Sequence, residues 1–117
     1  MEAVDSIEKI YESMCINKSI VICETPPEMA FMIDSLESKS FPCYYVCSTK
    51  KENIRESPNK MFVCTEKEFN TSEFWEILED VKIDCVFFVG QNVFFNCLSQ
   101  LNRLESNRGK TQFIFTL

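Results

Sequence analysis

The sequence predicts one α/β domain with a mostly parallel, five-stranded sheet covered by helices on both faces. Short apolar segments rich in β-branched and aromatic residues alternate along the chain with amphipathic segments of helical period. The apolar segments are continuous rather than alternating, which is typical of strands that are buried on both faces. A length of 117 residues suffices for one core and leaves little room for a second, so residues 1–117 are treated as a single domain.

Turn and capping residues set the expected bounds of these elements. Pro26 and Pro27 fit the first turn of a helix, where a missing N–H costs nothing, and Gly90 ends the fourth apolar segment. The strands are predicted at residues 19–23, 41–47, 60–65, 83–89 and 111–116. The helices are predicted at 6–15 (capped by Asp5 or Ser6), 26–38, 71–81, and from Asn92 or Asn96 to about 106.

Composition favours an intracellular protein without disulfides or a metal site. No apolar run approaches the roughly 18 residues that span a bilayer, and the acidic N-terminal segment lacks the basic region of a signal peptide. The seven cysteines form no C-x-x-C pair and lie mostly in apolar segments, which predicts small buried side chains. The chain has no histidine, a common zinc ligand, and its net charge of −6 opposes tight non-specific binding of nucleic acid.

The motifs of catalysis are missing from the sequence. Gly109-Lys110-Thr111 imitates the end of a phosphate-binding loop, but Leu104 replaces its first glycine and the helix precedes the strand instead of following it. Without histidine, no Ser-His-Asp or Cys-His arrangement is possible. Cys64, at a strand end, is the first candidate for a nucleophile, although packing within the strand is the commoner role. We therefore predict no catalytic residue and no cofactor for this domain alone.

Four segments of the chain follow one another in an informative order. SIVICET ends at Thr25, KMFVCTE ends at Thr65-Glu66, and IDCVFFVG and NCLSQLNRLESNRGKTQFIFTL complete the set. Over nearly the whole chain, this set resembles the C-terminal RecA-like domain of superfamily 2 RNA helicases of the DEAD-box type. In that resemblance Thr25 matches the threonine of motif IV, Thr65 and Glu66 match the Thr-Asp of motif V, and Arg103 matches an arginine of motif VI. Arg108 matches another motif VI arginine with a shift.

The departures from the helicase pattern imply a domain that has lost its ATP chemistry. The motif VI histidine and its first two glycines are missing, and KEFN replaces the Ala-Arg-Gly-hydrophobic-Asp segment after motif V. The motif VI arginines of these helicases stabilise charge on the transferred phosphate, so Arg103 and Arg108 are interpreted as a vestigial ATP site. The phosphate loop and the acidic motif of a helicase lie in its other half. The resemblance thus implies a three-layer α-β-α RecA-like domain that is not an enzyme on its own.

Degenerate helicase domains of this kind serve as non-catalytic interaction modules. The germline Tudor-domain helicases of the piRNA pathway, including the insect Yb group, are a family to which this chain is similar. That similarity implies a homodimer or a protein partner, in a cytoplasmic, perinuclear ribonucleoprotein granule, without membrane or metal. Aromatic residues are enriched at interfaces, and the candidate interface residues are Phe74, Trp75, Phe94 and Phe95, each of which core packing would also explain.

Two alternatives give the same domain a role in RNA binding or in ATP hydrolysis. In the first, Thr25, Thr65 and Glu66 face RNA at the strand ends, assisted by Arg103 and the basic residues of segment 50–60. In the second, the domain is one half of an ATP-dependent RNA helicase, and Arg103 acts only when a partner RecA-like domain completes the site.

Overall fold

Five parallel strands form the sheet of this computed structural model, which describes residues 2–45, 60–77, 81–102 and 113–117. The strands are β1 (Lys18–Cys23), β2 (Cys43–Tyr45), β3 (Lys60–Thr65), β4 (Cys85–Phe88) and β5 (Phe113–Thr116). Their order across the sheet is β2-β3-β1-β4-β5, and every neighbouring pair is parallel. The predicted sheet is therefore confirmed, and all of its described pairings are parallel.

The helices alternate with these strands along the chain. They are α1 (Glu2–Ser13), α2 (Pro26–Glu37), α3 (Glu66–Phe69), α4 (Ser72–Ile77) and α5 (Gln91–Asn96), followed by a 3₁₀ turn at Leu98–Gln100. The longest, α1 and α2, have 12 residues each. Across the described ranges, no helix combines the length and the apolar character that crossing a membrane requires.

The helices cover the sheet on both faces and complete a three-layer RecA-like architecture, as predicted. On one face, α1 and α2 pack against inward side chains such as Val21 and Phe87. On the other face, α3, α4 and α5 pack against Ile20, Phe62 and Phe88. Successive side chains of a strand point to opposite faces, so each central strand contributes to both cores.

Strand β1 lies at the centre of the sheet and is buried on both sides. Ile20, Val21 and Ile22 have no exposed surface, and burying each such side chain contributes about 1.5–3 kcal/mol. This burial explains why the segment is continuously apolar. The register places Cys23 of β1 beside Thr65 of β3, so these two strands end together.

An aromatic cluster joins α3 and α4 to the sheet. The ring of Phe69 lies 5.5 Å from that of Phe74, 5.1 Å from that of Trp75 and 6.2 Å from that of Phe88, all edge-on. The indole Nε1 of Trp75 donates a hydrogen bond of 2.8 Å to the carbonyl oxygen of Phe69. Edge-to-face pairs add stability beyond area burial, so this cluster fixes how α3 and α4 sit on β4.

Two predicted helix starts are wrong. Helix α1 begins at Glu2, and Ser6 is inside it, where its hydroxyl donates to the Glu2 carbonyl oxygen at 3.1 Å. Helix α5 follows Gly90, whose φ of 106° makes the turn that ends β4, and no side chain caps it. The start of α2 at Pro26 is confirmed. The start of a helix at Thr71-Ser72 is confirmed as well, because the Phe74 N–H donates to the Thr71 hydroxyl at 3.4 Å.

Candidate functional site

The carboxyl edge of the sheet brings the ends of β1, β3 and β4 together. After β1 the chain enters α2 on one face, whereas after β3 and β4 it enters α3 and α5 on the other face. Ligands of open α/β sheets bind where neighbouring strands connect to opposite faces. We therefore take this carboxyl edge as the candidate functional site.

Thr25 lies at this edge and caps α2. Its Oγ1 accepts a hydrogen bond from the backbone N–H of Glu28 at 3.4 Å. The Oε2 of Glu28 in turn accepts from the backbone N–H of Glu24 at 3.2 Å. Thr25, a candidate RNA-facing residue, is exposed at the predicted edge of the sheet. Its hydroxyl oxygen is engaged in capping α2.

Thr65 is held by Glu68 in a reciprocal capping box at the start of α3. The hydroxyl of Thr65 accepts from the Glu68 backbone N–H at 3.3 Å, while Oε1 of Glu68 accepts from the Thr65 backbone N–H at 2.9 Å and from its hydroxyl at 3.0 Å. The phenol of Tyr45, at the end of β2, donates to the other oxygen of Glu68. Thr65 is only 5% exposed, so its hydroxyl serves the backbone of α3 and does not face solvent.

Glu66 joins α3 to α5. Both of its carboxylate oxygens accept from the side-chain amide of Asn96, at 3.3 and 3.2 Å. The side-chain amide of Asn70 donates to the backbone carbonyls of Glu66, at 2.9 Å, and Asn96, at 3.4 Å. Glu66 is half-buried and Asn70 and Asn96 are exposed, so this surface network occupies the candidate RNA-facing carboxylate with contacts inside the domain.

The described part of the carboxyl edge is acidic. The segments 24–28 and 65–69, which follow β1 and β3, contain Glu24, Glu28, Glu66 and Glu68 against one base, Lys67. A phosphate backbone is repelled by such a charge balance, since its binding depends on neutralisation by Lys and Arg. The arginines predicted as a vestigial ATP site, Arg103 and Arg108, and the basic segment 50–59 lie outside the described residues.

An apolar cavity of about 260 Å³ opens at the same edge, between the ends of β1 and β4 and the first turns of α2. We call it the β1–α2 cavity; it is lined by Cys23, Pro27, Glu28, Phe31, Met32 and Val89. Burial, with a smaller contribution from the negative charge of Glu28, raises the pKa of Cys23 to about 12. The thiol is therefore protonated at neutral pH and forms part of the apolar wall.

The candidate interface aromatics divide between core and surface. Phe74 and Trp75 are buried, with 0% and 8% of their surface exposed, because they belong to the aromatic cluster under α4. Phe94 is half-buried, with its ring 5.3 Å from that of Phe88. Phe95, at 62% exposure, presents its ring to solvent. Helical spacing could not distinguish buried from exposed positions among these four residues, since it does not show how far a short helix extends beyond the sheet.

The structure adds three exposed apolar side chains that the sequence did not single out. Phe31 of α2 is 57% exposed, Leu98 is 45% exposed and Ile114 of β5 is 40% exposed. Helical spacing predicts Leu98 as an apolar position of the last helix, and Ile114 falls in the strand predicted at 111–116. Phe31 is not part of the apolar stripe predicted for the helix at 26–38. Leu98 and Ile114 belong to the last two elements of the described residues, and a strand or helix at the edge of a sheet has fewer neighbours.

Most of the described cysteines are buried. The side chains of Cys23, Cys64, Cys85 and Cys97 have no exposed surface, as predicted, whereas Cys15 is exposed and Cys43 is half-buried. Cys64, the candidate nucleophile, lies within the core cluster beneath α3 and α4. Within the described ranges, no group of three or more Cys, Asp or Glu side chains is placed to hold a metal ion.

Comparisons with protein-family models, with curated proteins and with solved structures found no match to this chain. The class of the domain, a three-layer α/β domain of RecA-like architecture, therefore comes from its own topology. Its assignment to the helicases stays a prediction that depends on the sequence motifs.

Proposed function

We propose that this domain is a non-catalytic, helicase-C-like interaction module that associates with itself or docks a partner protein. The observation that carries the proposal is the exposure of three apolar side chains that follow β4 along the chain, Phe95, Leu98 and Ile114. Single exposed apolar side chains are ordinary on protein surfaces. Three of them in successive described elements, with a phenylalanine among them, have the composition of an interface core.

These side chains belong to one face of the sheet. Ile114 is in register with Val86, whose side chain packs under the α3–α5 layer, and registered neighbours of parallel strands point to the same face. Ile114 therefore lies on the same side as α5, which carries Phe95. We call Phe95, Leu98 and Ile114 the α5–β5 surface.

A second copy of this chain is the partner that the α5–β5 surface fits best. Strand β5 pairs with β4 on one side, and among the described residues its other side pairs with no strand. The free N–H and C=O groups of an edge strand are a template for pairing with another chain. An edge strand flanked by exposed apolar side chains favours two-fold association of identical surfaces, which is the commonest symmetry of soluble oligomers.

RNA binding is the alternative, and the described electrostatics weigh against it. The sheet edge that would face RNA carries the four glutamates named above, and the hydroxyl of Thr65 is buried in a capping box. Thr25 is the candidate RNA-facing residue with an exposed side chain. A role as one half of an ATP-dependent helicase depends on Arg103, and Arg103→Ala in the complete protein would abolish ATP hydrolysis if that role were correct.

The resemblance to degenerate helicases extends the proposal to a cellular setting. In that setting the module belongs to a cytoplasmic, perinuclear ribonucleoprotein granule of the RNA-silencing pathway, where it holds proteins together rather than unwinding RNA. Support for this part comes from the order of the sequence motifs alone. Imaging of the tagged full-length protein tests it directly, and a diffuse cytoplasmic distribution would contradict the granule.

Sedimentation velocity across a wide concentration range, with and without a short single-stranded RNA, tests the proposed function. We expect a concentration-dependent dimer that RNA does not change. Phe95→Ser should weaken dimerisation by about tenfold or more, the effect of losing one aromatic anchor. Asn92→Ala, a change at an exposed polar residue of the same helix, is the matched control. A strict monomer that sediments faster only with RNA would replace self-association with RNA binding.

A further inference from the structure

The size of the β1–α2 cavity selects one kind of occupant. Its volume of about 260 Å³ is below the ~300–1,000 Å³ typical of pockets for small molecules and cofactors. It exceeds the ~150 Å³ of an engineered apolar cavity that binds benzene. The cavity therefore matches one bulky side chain of a partner rather than a nucleotide.

The charge at the mouth of the cavity specifies what should lie next to that side chain. Glu28 lines the cavity, and within the described part of the chain its Oε1 has no hydrogen-bond partner. Glu24 is exposed one turn away, and the described ion pairs involve neither carboxylate but join Lys39 to Asp5 and Glu8. Two carboxylates that form no ion pair with another described residue, beside an apolar cavity, are complementary to a cation that follows an apolar group.

The rim of the cavity leaves room for a polypeptide backbone. Phe31, which is 57% exposed, lines the cavity and can cover an inserted side chain. Val89, which also lines the cavity, is followed by Gly90. Apart from Gly90 itself and its two chain neighbours, no described heavy atom lies within 4 Å of the position that a Cβ of Gly90 would take. A glycine with open space around it permits the close approach of another backbone.

We propose that the β1–α2 cavity docks a partner polypeptide that inserts one leucine or methionine side chain followed by a lysine or arginine. The aliphatic group packs against Met32, Val89 and Phe31, and the cation pairs with Glu28. The inference rests on the proposed function in its partner-docking form and names the chemistry of the partner. RNA does not fit this site, because its phosphates would meet carboxylates and its sugars an apolar wall.

Titration of the ¹⁵N-labelled domain with capped dipeptide amides, followed by NMR, tests the docking site. Acetyl-Leu-Arg amide is the probe, and acetyl-Leu-Glu amide and acetyl-Gly-Arg amide remove the charge match and the aliphatic group respectively. We expect acetyl-Leu-Arg amide to shift the amides of Cys23, Phe31 and Val89 and to bind at least fivefold tighter than either control peptide. Equal binding of the three peptides, or shifts elsewhere on the domain, would overturn the proposal.

Two substitutions assign the contributions of charge and apolar contact. Glu28→Gln keeps the acceptor for the Glu24 N–H and should weaken acetyl-Leu-Arg amide about two- to fivefold, the range of an exposed ion pair. Glu12→Gln, the same charge change on α1, is the matched control and should leave the affinity unchanged. Phe31→Ala should weaken both leucine peptides by a similar factor. Shifts of the same amides by a short single-stranded RNA would assign the edge to RNA instead.

The titration is carried out on the Phe95→Ser background as well as on the wild-type domain, so that self-association and docking are separated. Equal affinities in both backgrounds show that the cavity works without the α5–β5 surface. A domain that dimerises but binds no probe overturns the docking site alone. A strict monomer that binds the probe overturns self-association alone.

Discussion

Lys18 and Asp84 exchange hydrogen bonds at the amino edge of the sheet. The backbone N–H of Lys18 donates to Oδ2 of Asp84 at 3.1 Å, and the backbone N–H of Asp84 donates to the Lys18 carbonyl oxygen at 2.9 Å. The same carboxylate oxygen accepts from the backbone N–H of Asn17 at 3.0 Å. These contacts join the first residue of β1 to the residue before β4 and fix the register of the two central strands.

Asp84→Ala should destabilise the domain because it leaves two backbone N–H groups without an acceptor. Hydrogen bonds to a charged group contribute about 1.5–3 kcal/mol, and we expect a loss of that order in the free energy of unfolding. Asp84→Asn keeps an oxygen acceptor and should lose less. Urea denaturation followed by the fluorescence of Trp75 measures both, with Asp34→Ala at an exposed position of α2 as control. Equal stability of D84A and D34A would show that the hydrogen bonds of the Asp84 carboxylate contribute nothing to stability.

Thr65 and Glu68 should behave as one unit in folding. Thr65→Ala should cost about 1 kcal/mol, the usual effect of losing an N-cap, and Glu68→Ala more, because it also removes the acceptor of the Tyr45 phenol. The double variant should lose less than the sum of the two, since each single change already breaks the box. If the losses of unfolding free energy were additive, Thr65 and Glu68 would not act as one unit. If Thr65 contacts RNA instead, Thr65→Ala would reduce RNA binding without changing the denaturation midpoint.

Removing the ring of Phe69 should be the most damaging of these substitutions. Phe69 has no exposed surface and contacts three other rings, and a Phe→Ala change in such a core costs about 3–5 kcal/mol. Thermal unfolding followed by circular dichroism gives the loss. The matched control is Phe95→Ala, which removes a ring that is 62% exposed and should move the midpoint little. Comparable midpoint shifts for both variants would contradict the aromatic cluster as the core beneath α4.

Stability should fall at alkaline pH because buried thiols resist ionisation. Burial raises the pKa of Cys85 from 9.0 to about 12 and that of Cys97 from 9.0 to about 11, with smaller contributions from Asp84 and Glu66 respectively. Between the unfolded and the folded pKa, the unfolded chain releases protons that the folded domain retains. Stability is therefore complete below about pH 9 and declines above it, by roughly 1 kcal/mol per thiol one pH unit higher.

Urea midpoints of the reduced protein from neutral pH to about pH 10 measure this decline. Cys85→Ala will be less stable at every pH, and its distinguishing property is a shallower decline above pH 9. The exposed Cys15 provides the control, because Cys15→Ala should leave the slope unchanged. A wild-type profile that stays flat to pH 10 would show that these thiols titrate as in the unfolded chain.

The layers of the fold could be predicted because their signals are local. Segment 19–23 is continuously apolar and is the strand buried on both faces, and Lys60–Thr65 has the predicted bounds. Pro26 and Pro27 mark the start of α2 because ring geometry permits them at few other helical positions. The strand order β2-β3-β1-β4-β5 depends on contacts between segments that are distant along the chain, and no strand order is predicted from the sequence.

Sequence reasoning missed one local feature, the capping box of Thr65 and Glu68, and several features that depend on partners distant along the chain. The segment Thr65-Glu66-Lys67-Glu68 has the spacing of a capping box, yet the prediction interpreted Glu66 as a ligand-facing residue and placed the helix start at residue 71. Nothing near Asp84 in sequence indicates that it binds the N–H groups of residues 17 and 18. The exposure of Phe95 and the burial of Phe74 also depend on where each short helix lies on the sheet.

The capping box of Thr65 has a consequence for reading degenerate domains by their motifs. In this domain Thr65 is fixed by the needs of α3, whose first turn has no other cap, and those needs exist with or without a ligand. Selection for folding alone would therefore keep a threonine here, whether or not the residue ever bound a ligand. A match of Thr65 to a motif is thus explained by architecture, and an activity has to be established from groups that folding does not already require.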